Sequence, residues 1–444
     1  MNGLRIDLVA PPFAGHLFPL LELGRYLRDR RGDEVRIFTT RTAARAVEAA
    51  GLPLVPLLVG EESAVDSIAD TTQPIGSNPF RLLAQLRRNL ALMRRLKAEL
   101  EQAWSAAPPD VAIVDFAVPL AGLVAQERGV RWWTSMPTPC ALETRTGTPS
   151  YLGGWSPRTS RWGSLRDAAG RLAVTTFKRS VFGALRSSLC DLGFRRLYRE
   201  DGTEAVYSPE KILGLGLSEF EFNDDWPACF EFVGPLTASP YRRPEAPFAQ
   251  TSASERKQVL VSLGTHLSWA KRRALDVVCQ AAKLTPELDY CFSYGRAFDE
   301  STQTRELEDQ LPNVRCVDFV PYDQAIGRFD AAVVHGGTGV VYACLREAVP
   351  MLVWPHDYDQ FDHAARIVHR GLGRRCRPAG ERIAEDLRAL MRDAEVRSNL
   401  QRFSRLVRAA EAKGRIVQLL DELPRRSHEN SLPGASGPEK AERQ

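Results

Sequence analysis

The chain has 444 residues, of which 44% are hydrophobic and 26% are charged, and its formal net charge is +4. This length exceeds one ordinary core, so two domains of a soluble globular protein are expected. The small net charge does not indicate nucleic-acid binding, and no run of about 18 apolar residues predicts a membrane span. The eight cysteines form no CxxC pair, and with no signal peptide they predict reduced thiols in a cytoplasmic protein.

Strand-like and helix-like segments alternate through the first half of the chain. Short apolar, β-rich runs are separated by stretches that place apolar residues at helical spacing. Such alternation is typical of a parallel sheet covered by helices on both faces. The predicted elements are a strand at 4–12, a helix at 15–30, a strand at 33–40, a helix at 41–52, a strand–helix–strand unit at 109–136 and a strand at 211–220.

A stretch rich in Pro, Ser, Thr and Ala, residues 234–257, has no apolar periodicity and is the best candidate for a linker. Residues 423–444 are polar and predicted to be disordered. We predict two α/β domains, at 1–236 and 258–422, joined by a linker at 237–257. The elements predicted in the second domain are strands at 258–265, 288–295, 314–320, 331–337 and 351–357 and a helix at 268–283.

The second half contains a glycine-rich junction, HGGTG at 335–339, between an apolar strand and a helix. Free N–H groups at a helix start carry partial positive charge and bind anions, and glycines let a phosphate approach the backbone. Another strand ends on Gly264-Thr265, which offers amides and a hydroxyl to the same anion. A turn without a ligand is the alternative. The predicted phosphate contacts are Gly264, Thr265, His335, Gly336, Gly337, Thr338 and Gly339.

Further polar residues follow predicted strand ends. Asp359 and Gln360 could pair with the vicinal hydroxyls of a sugar, because a carboxylate accepts hydrogen bonds and a carboxamide both donates and accepts them. A helix N-cap is the alternative for this pair. In the first half, His16 and Asp115 also lie at carboxyl ends of strands, where open α/β sheets bind ligands. We expect the two crevices to face each other across one cleft.

Several segments of the chain resemble a known family. "HGGTG…VPMLVWPHDYDQ…AARI" is similar to the donor signature of the family 1 nucleotide-sugar glycosyltransferases, which have the GT-B fold. "APPFAGHLFPLLELGRYL" resembles their acceptor-side motif, "CFEFVGPL" their pre-linker segment, and "PNVRCVDFVPY" the stretch that cradles the base. The resemblance covers roughly residues 4–380, and "DQFDHAARIVHRGLGRR" looks most like bacterial zeaxanthin glucosyltransferases.

The resemblance implies an N-terminal acceptor-binding domain and a C-terminal nucleotide-sugar-binding domain, both Rossmann-like. It gives His16 the place of the general base and Asp115 that of the acid orienting it. A histidine with a pKa near 6.5 can take the proton of an acceptor hydroxyl at neutral pH. The remaining family positions fall on Thr265, His335, Gly337 and Gly339 for the diphosphate, Asp359 and Gln360 for the sugar, and Phe319 and Val320 for the base.

Two positions depart from the family pattern. Ala343 stands where the family usually has a glutamate that holds the ribose hydroxyls. Phe319 stands where the base-stacking aromatic is commonly tryptophan, and Pro321-Tyr322 follows it in place of Pro-Gln. The choice between UDP and dTDP therefore stays open.

We predict an inverting glycosyltransferase that moves a hexose, expected to be glucose, from a UDP- or dTDP-sugar to a hydroxyl of a lipophilic small molecule. No cofactor or metal is predicted, since the seven histidines show no metal-ligand spacing and helix-end amides can stabilise the leaving diphosphate. The alternatives are a lipid-linked sugar transferase and a catalytically silent nucleotide-sugar-binding partner subunit. The first would have a more glycine-rich N-terminal loop, and the second has no need of a base such as His16.

A basic helical stretch at 145–200 holds eleven Lys and Arg residues against three acidic ones, a net charge of +8, with Trp and Phe interleaved. Residues 81–100 are also basic. Solvated amphipathic helices are one interpretation, and an apolar acceptor pocket beside a surface that touches anionic lipid is the other. We expect a cytoplasmic location with peripheral contact at the inner face of the membrane. Of the other histidines, His356 is predicted to touch the donor or cap a surface turn, and the solvated ones are His266, His363, His369 and His428.

Overall fold

The computed structural model describes residues 3–71, 79–241, 256–295 and 310–423. Most of the predicted linker, residues 242–255, and the predicted tail from residue 424 lie outside these ranges. Within the described ranges, none of the helices combines the length and apolar character that crossing a bilayer requires.

Seven parallel strands form the first sheet, in the order β3-β2-β1-β4-β5-β6-β7. The central strands β1 and β4 are mostly apolar and buried, because helices cover both faces of the sheet. The strands are β1 Arg5–Val9, β2 Glu34–Thr39, β3 Leu54–Pro56, β4 Val111–Asp115, β5 Arg131–Met136, β6 Ile212–Gly214 and β7 Phe230–Phe232. The helices are α1 Ala14–Arg31, α2 Ala44–Ala49, α3 Glu62–Ala69, α4 Pro79–Ala106, α5 Pro119–Glu127, α6 Arg161–Ala184 and α7 Arg186–Leu192.

Six parallel strands form the second sheet, in the order β10-β9-β8-β11-β12-β13. Its strands are β8 Lys257–Ser262, β9 Leu288–Ser293, β10 Val314–Val317, β11 Ala331–Val334, β12 Met351–Val353 and β13 Gly373–Arg375. Its helices are α8 Ser268–Leu284, α9 Tyr322–Ala325, α10 Thr338–Arg346, α11 Gln360–His369, α12 Gly380–Arg392, α13 Ala394–Ala409 and α14 Ala412–Asp421. The predicted class, α/β with two parallel sheets, is confirmed.

The strand order reverses direction between β1 and β4 in the first sheet and between β8 and β11 in the second. At such switch points the loops leave neighbouring strands in opposite directions and open a crevice at the carboxyl ends. The first crevice receives the start of α1 and the end of β4, and the second receives the loops that follow β8 and β11. The polar residues singled out in the sequence therefore lie at the two crevices.

The last helix crosses back to the first half of the molecule. α14 contributes Ile416, Leu419 and Leu420 to the core beneath β1, where they pack with leucines of α1. The sequence-based division gave residues 258–422 to the second domain, whereas this helix packs with the first. The apolar face of α14 can be seen in the local sequence, but the surface on which it packs comes from α1, at the opposite end of the chain.

The two halves touch through buried polar contacts. The guanidinium of Arg366 on α11 donates to the carboxylate of Glu221, which lies between β6 and β7, at 2.7 Å, and both side chains are 1% exposed. Close by, the hydroxyl of Tyr342 on α10 accepts a hydrogen bond from the backbone N–H of Leu217 at 3.0 Å. These contacts hold α10 and α11 against the first half.

Candidate active site

A cleft of about 460 Å³ separates the carboxyl ends of the two sheets. This volume lies in the range of small-molecule sites, which is about 300–1,000 Å³. Both halves line it, and the first half supplies mostly apolar side chains while the second supplies the loops after its strands. The predicted site residues that line the cleft are His16, Gly264, Thr265, Phe319, His335, Gly337, Thr338, Gly339, Asp359 and Gln360.

His16 and Asp115, which are 99 positions apart in sequence, meet at the first crevice. Nδ1 of His16 lies 2.8 Å from Oδ1 of Asp115. The carboxylate is fully buried and also accepts the backbone N–H of Ala117 at 2.9 Å, so its position is fixed from two sides. The ring of Phe116 stacks on the imidazole with 5.4 Å between centroids. Because Asp115 holds Nδ1, the Nε2 atom is left for a ligand, and the side chain of His16 is 26% exposed.

The carboxylate also sets the protonation of this histidine. Burial of the ring disfavours its charged form, but the charge of Asp115 and its hydrogen bond outweigh burial and raise the pKa of His16 above 6.5. A base acts when neutral, so kcat/KM is expected to fall with decreasing pH as this pKa is crossed.

Asp115→Asn is expected to move the acidic limb of kcat/KM to lower pH. The substitution removes the charge that raises the pKa of His16 and leaves burial, which lowers it. The plateau should also fall, by about 10²–10⁴, because the imidazolium formed in the reaction loses its counter-charge. A pH–rate profile of the variant beside Asp191→Asn, an exposed carboxylate of α7, measures both effects. An unmoved limb in Asp115→Asn would contradict the coupling.

The junction after β11 is built around His335. A Cβ on Gly337 would collide with Nε2 of His335, and one on Gly264 would lie 2.8 Å from the same ring. These two glycines therefore make room for the imidazole. Gly339 has open space above it, with no heavy atom within 4 Å of a Cβ placed there. Only this third glycine is left open to a ligand in the way expected from the sequence.

The electrostatics of the junction suit an anion. α10 begins at Thr338, and its N-cap residue Gly337 has no side chain that could cap the first N–H groups. Burial, with the nearby His356 as a smaller cause, lowers the pKa of His335 to about 4. The imidazole is then neutral at physiological pH, and its buried Nδ1 has no hydrogen-bond partner among the described residues. A neutral ring and free helix amides can bind an anion by hydrogen bonds.

His363 lies beneath this junction, and the prediction that it is solvated is wrong. Its side chain is 2% exposed, and its Nδ1 lies 2.7 Å from the carbonyl oxygen of Gly336, to which it donates. The histidine thereby ties α11 to the loop that precedes α10. Its isolated position in a polar helix start, "DQFDHAAR", gave no signal of burial.

Asp359 and Gln360 begin α11 at the wall of the cleft. Asp359 occupies the N-cap position, but its side chain makes no capping hydrogen bond. Its carboxylate instead accepts the hydroxyl proton of Thr138 across the cleft at 2.7 Å, and the Thr138 and Thr338 hydroxyls are 3.1 Å apart. Thr138 was missed in the sequence, although it follows β5 at the same sheet edge as Asp115. A polar residue just past a strand end is the signal that points to it.

Only one of the two polar groups of the Gln360 side chain is available to a ligand. Its Oε1 accepts the backbone N–H groups of His356 and Asp357 at 2.9 and 3.1 Å. Backbone N–H groups only donate, so the oxygen must face the loop and the Nε2 group is left to donate elsewhere. Gln360 is therefore both a brace for the 356–357 loop and a directed donor at the cleft.

Known proteins resemble this chain in sequence and in fold. A family model described as "Erythromycin biosynthesis protein CIII-like, C-terminal domain" matches residues 297–423. The chain is 24% identical to a zeaxanthin glucosyltransferase of Pantoea ananas, over 90% of this chain and 92% of that protein. It is 27% identical to elloramycin glycosyltransferase ElmGT of Streptomyces olivaceus, over 83% and 85%. The crystal structure of the glycosyltransferase of kitacinnamycin superposes with a TM-score of 0.71 at 25% identity, over 95% and 99% of the two chains.

The chain is an NDP-sugar-dependent glycosyltransferase with the GT-B fold. It is an enzyme that transfers sugar to small-molecule acceptors, and both the predicted GT-B fold and the predicted family are confirmed.

In this glycosyltransferase Phe319, the residue predicted to contact the base, packs edge-to-face on Tyr241 with 5.9 Å between centroids. Val320 is fully buried in the second core, so only its main chain is available to a ligand. Tyr322, found in place of the family's usual Gln, hydrogen-bonds the hydroxyl of Ser262 at 2.7 Å. Ala343 is 1% exposed on α10 and does not line the cleft, so a glutamate there would have to displace core packing to reach the ribose.

Proposed function

We propose that this glycosyltransferase moves a hexose, with glucose as the expected sugar, from a UDP- or dTDP-sugar to a hydroxyl of a lipophilic acceptor, with inversion. The observation that carries the proposal is the His16–Asp115 pair, 2.8 Å apart, in a cleft whose opposite wall offers uncapped helix amides. A base on one wall and an anion site on the other are what a single displacement at a sugar carbon requires.

The proposed reaction uses the residues on both walls. The acceptor oxygen attacks the anomeric carbon from the face opposite the diphosphate, and its proton passes to Nε2 of His16. The bond from the anomeric carbon to the diphosphate oxygen breaks, and one displacement inverts the configuration. The N–H groups of Thr338 and Gly339 with His335 stabilise the negative charge left on the diphosphate. Thr265 adds a hydroxyl at the same place.

The sugar is assigned to Asp359, Gln360 and Thr138. The hydroxyl of Thr138 donates a hydrogen bond to the carboxylate of Asp359, as a hydroxyl of the sugar would do when the donor is bound. A hexose that enters between them replaces one O–H donor with another. Because one hydrogen bond to Asp359 replaces another, the exchange costs little free energy. We infer that the Thr138–Asp359 hydrogen bond keeps the carboxylate in position until the donor binds.

The acceptor is assigned to the apolar wall of the first half. Phe13, Phe18, Ile68, Phe116 and Leu236 line the cleft around His16, and such a surface favours an apolar molecule with one hydroxyl directed at the base. We therefore propose residues 1–236 as the acceptor domain and 258–422 as the donor domain, with α14 returning to the former. One relative is named a zeaxanthin glucosyltransferase, and zeaxanthin is an example of the proposed acceptor class.

We also propose a peripheral contact with the inner face of the membrane. The support is the net charge of +8 over residues 145–200, in the half that carries the acceptor wall. A lipophilic acceptor would then be taken from the bilayer in which it dissolves.

One experiment tests the reaction. UDP-glucose and dTDP-glucose are offered in parallel with a library of lipophilic and water-soluble alcohols, and products are detected by mass spectrometry. A gain of one hexose on an apolar alcohol, with an inverted anomeric linkage by NMR, is expected. Tight binding of the nucleotide sugar with no product from any acceptor would instead mean a silent binding subunit.

Gln360→Ala is expected to raise the donor KM by about three- to tenfold, the cost of one hydrogen bond, and to weaken discrimination between sugars. Affinity for free UDP should hardly change. Gln360→Glu keeps an acceptor for the 356–357 loop, removes the Nε2 donor and adds a negative charge beside Asp359, so its defect should be at least as large. A glutamate variant with normal donor kinetics would mean that Gln360 acts only as the brace.

A further inference from the structure

The exposed face of α6 is apolar along most of its length. Trp162, Leu165 and Leu172 are 79%, 60% and 68% exposed, and they are three of the few large apolar side chains that the described part of the chain leaves in solvent. Their spacing places them on one side of the helix, about 15 Å from first to last at 1.5 Å per residue. The exposed positions between Arg161 and Arg179 carry no charge and are Trp162, Ser164, Leu165, Ala168, Ala169, Leu172, Ala173 and Thr176. We call these eight residues the α6 stripe.

The opposite face of α6 is fixed to the first half. Gly170 packs against Pro149 and Trp155, and Lys178 pairs with the carboxylates of Glu143 and Glu204 at 2.7 Å each. The helix therefore cannot turn its apolar side inward without breaking a buried network. The stripe is exposed because the polar face is the one that packs.

The packing of α6 separates the basic residues of this region into those paired with carboxylates of the protein and those exposed to solvent. Arg166 and Lys178 are bound to carboxylates of the protein and do not reach a partner. Exposed arginines stand at both ends of the stripe, with Arg158 and Arg161 before it and Arg186 after it. An apolar strip between basic ends complements a bilayer surface, where acyl chains lie beneath anionic headgroups.

We propose that the α6 stripe is the docking surface for an anionic membrane, with α6 lying in the plane of the interface. The proposal rests on the proposed membrane contact and assigns it to eight residues. A second protein is a poorer fit, since a stable interface buries about 800 Å² per partner over 20–30 residues, and the stripe exposes only three large side chains.

The docked position also serves the reaction. α6 packs on the segment 149–155, and Tyr151 of this segment lines the cleft. The backbone N–H of Tyr151 donates to Asp362 of α11 at 2.8 Å, so the segment joins the α6 stripe to the donor wall. A bilayer on the α6 stripe would therefore be separated from the segment that lines the cleft by the thickness of this one helix.

Vesicle co-sedimentation tests the surface with the full chain. Vesicles of phosphatidylcholine, with or without phosphatidylglycerol, are mixed with wild type and with the triple variant Trp162→Ser, Leu165→Ser and Leu172→Ser. Wild type should bind the anionic vesicles, less at high salt, and the triple variant should bind at least tenfold more weakly. Leu284→Ser replaces a leucine that is 45% exposed at the end of α8; it is the control and should bind as wild type. Arg158→Glu and Arg161→Glu should each cost about fivefold or more, while the exposed Arg405→Glu should cost little.

The possible results distinguish the membrane contact itself from its assignment to the α6 stripe. If wild type ignores all vesicles, the membrane contact is wrong and the transferase assignment is untouched. If wild type binds and the triple variant binds equally well, the contact is real but the α6 stripe is not its surface. If wild type forms a dimer that the triple variant loses, as measured by light scattering, the stripe is a protein interface. Transfer to a water-soluble acceptor should be normal in the triple variant, which shows that its fold is intact.

Discussion

Replacing His16 with alanine is expected to lower kcat by about 10²–10⁴ while nucleotide-sugar binding stays nearly unchanged. The imidazole is held by Asp115 at the wall formed by the first half, and the predicted donor contacts come from the other half of the molecule. Loss of the proposed base leaves the acceptor hydroxyl a poor nucleophile, whereas the proposed diphosphate site at α10 is untouched. Single-turnover kinetics and calorimetry with UDP measure the two effects separately.

The control for this change is His369→Ala, an exposed histidine at the end of α11. It should leave both kcat and donor affinity at the level of wild type. Near-normal turnover in His16→Ala, with the fold verified by circular dichroism, would remove His16 from the mechanism. A large loss of UDP affinity would show that its role lies in the donor site instead.

Arg366→Met is expected to destabilise the protein by about 3–5 kcal/mol, because it leaves the carboxylate of Glu221 buried without its partner. The guanidinium also lies over the ring of Phe222 at 4.5 Å, and that contact would be lost as well. Since the pair joins α11 to the first half, the first unfolding transition in calorimetry should move to lower temperature. The donor KM should rise with it, because α11 carries the proposed sugar contacts.

A matched surface pair isolates the effect of burial. Arg388 and Glu287 are also 2.7 Å apart, but their side chains are 40% and 50% exposed. Arg388→Met should cost no more than about 1 kcal/mol. The double change Glu221→Leu with Arg366→Met should recover part of the lost stability, because no lone charge remains buried. Equal costs for Arg366→Met and Arg388→Met would contradict this account.

Local patterns in the sequence were enough to predict the strands and most of the residues that line the cleft. An apolar run that ends in Gly, His or Asp is visible in a few consecutive letters, and parallel sheets bring such ends to one edge. The pairing of His16 with Asp115 followed from the family resemblance, and the structure brings the two residues into contact. Their roles, like those of the donor residues, stay predictions until the variants are measured.

Long-range packing was not predictable from such patterns. His363 and Arg366 carry polar side chains on a helix with charged neighbours, so nothing local indicates that both are nearly fully buried. Gly337 was interpreted as making room for a phosphate, whereas its missing side chain makes room for His335. Thr138 looked like an ordinary loop residue, because the residues it meets lie about 200 positions away, at Thr338 and Asp359.

The return of α14 to the first core has a consequence for how the protein is made. Strands β1 and β2 leave the ribosome early, but the leucines of α14 that close their core leave it only after the strands of the second sheet. At about 5–20 residues per second, the nascent first half waits tens of seconds with an uncovered apolar surface beneath α1. The surface on α1 that α14 will cover is thus a site where a chaperone has time to bind. It is also the place where loss of the final helix, by truncation or a premature stop, would leave an aggregation-prone face on an otherwise folded sheet.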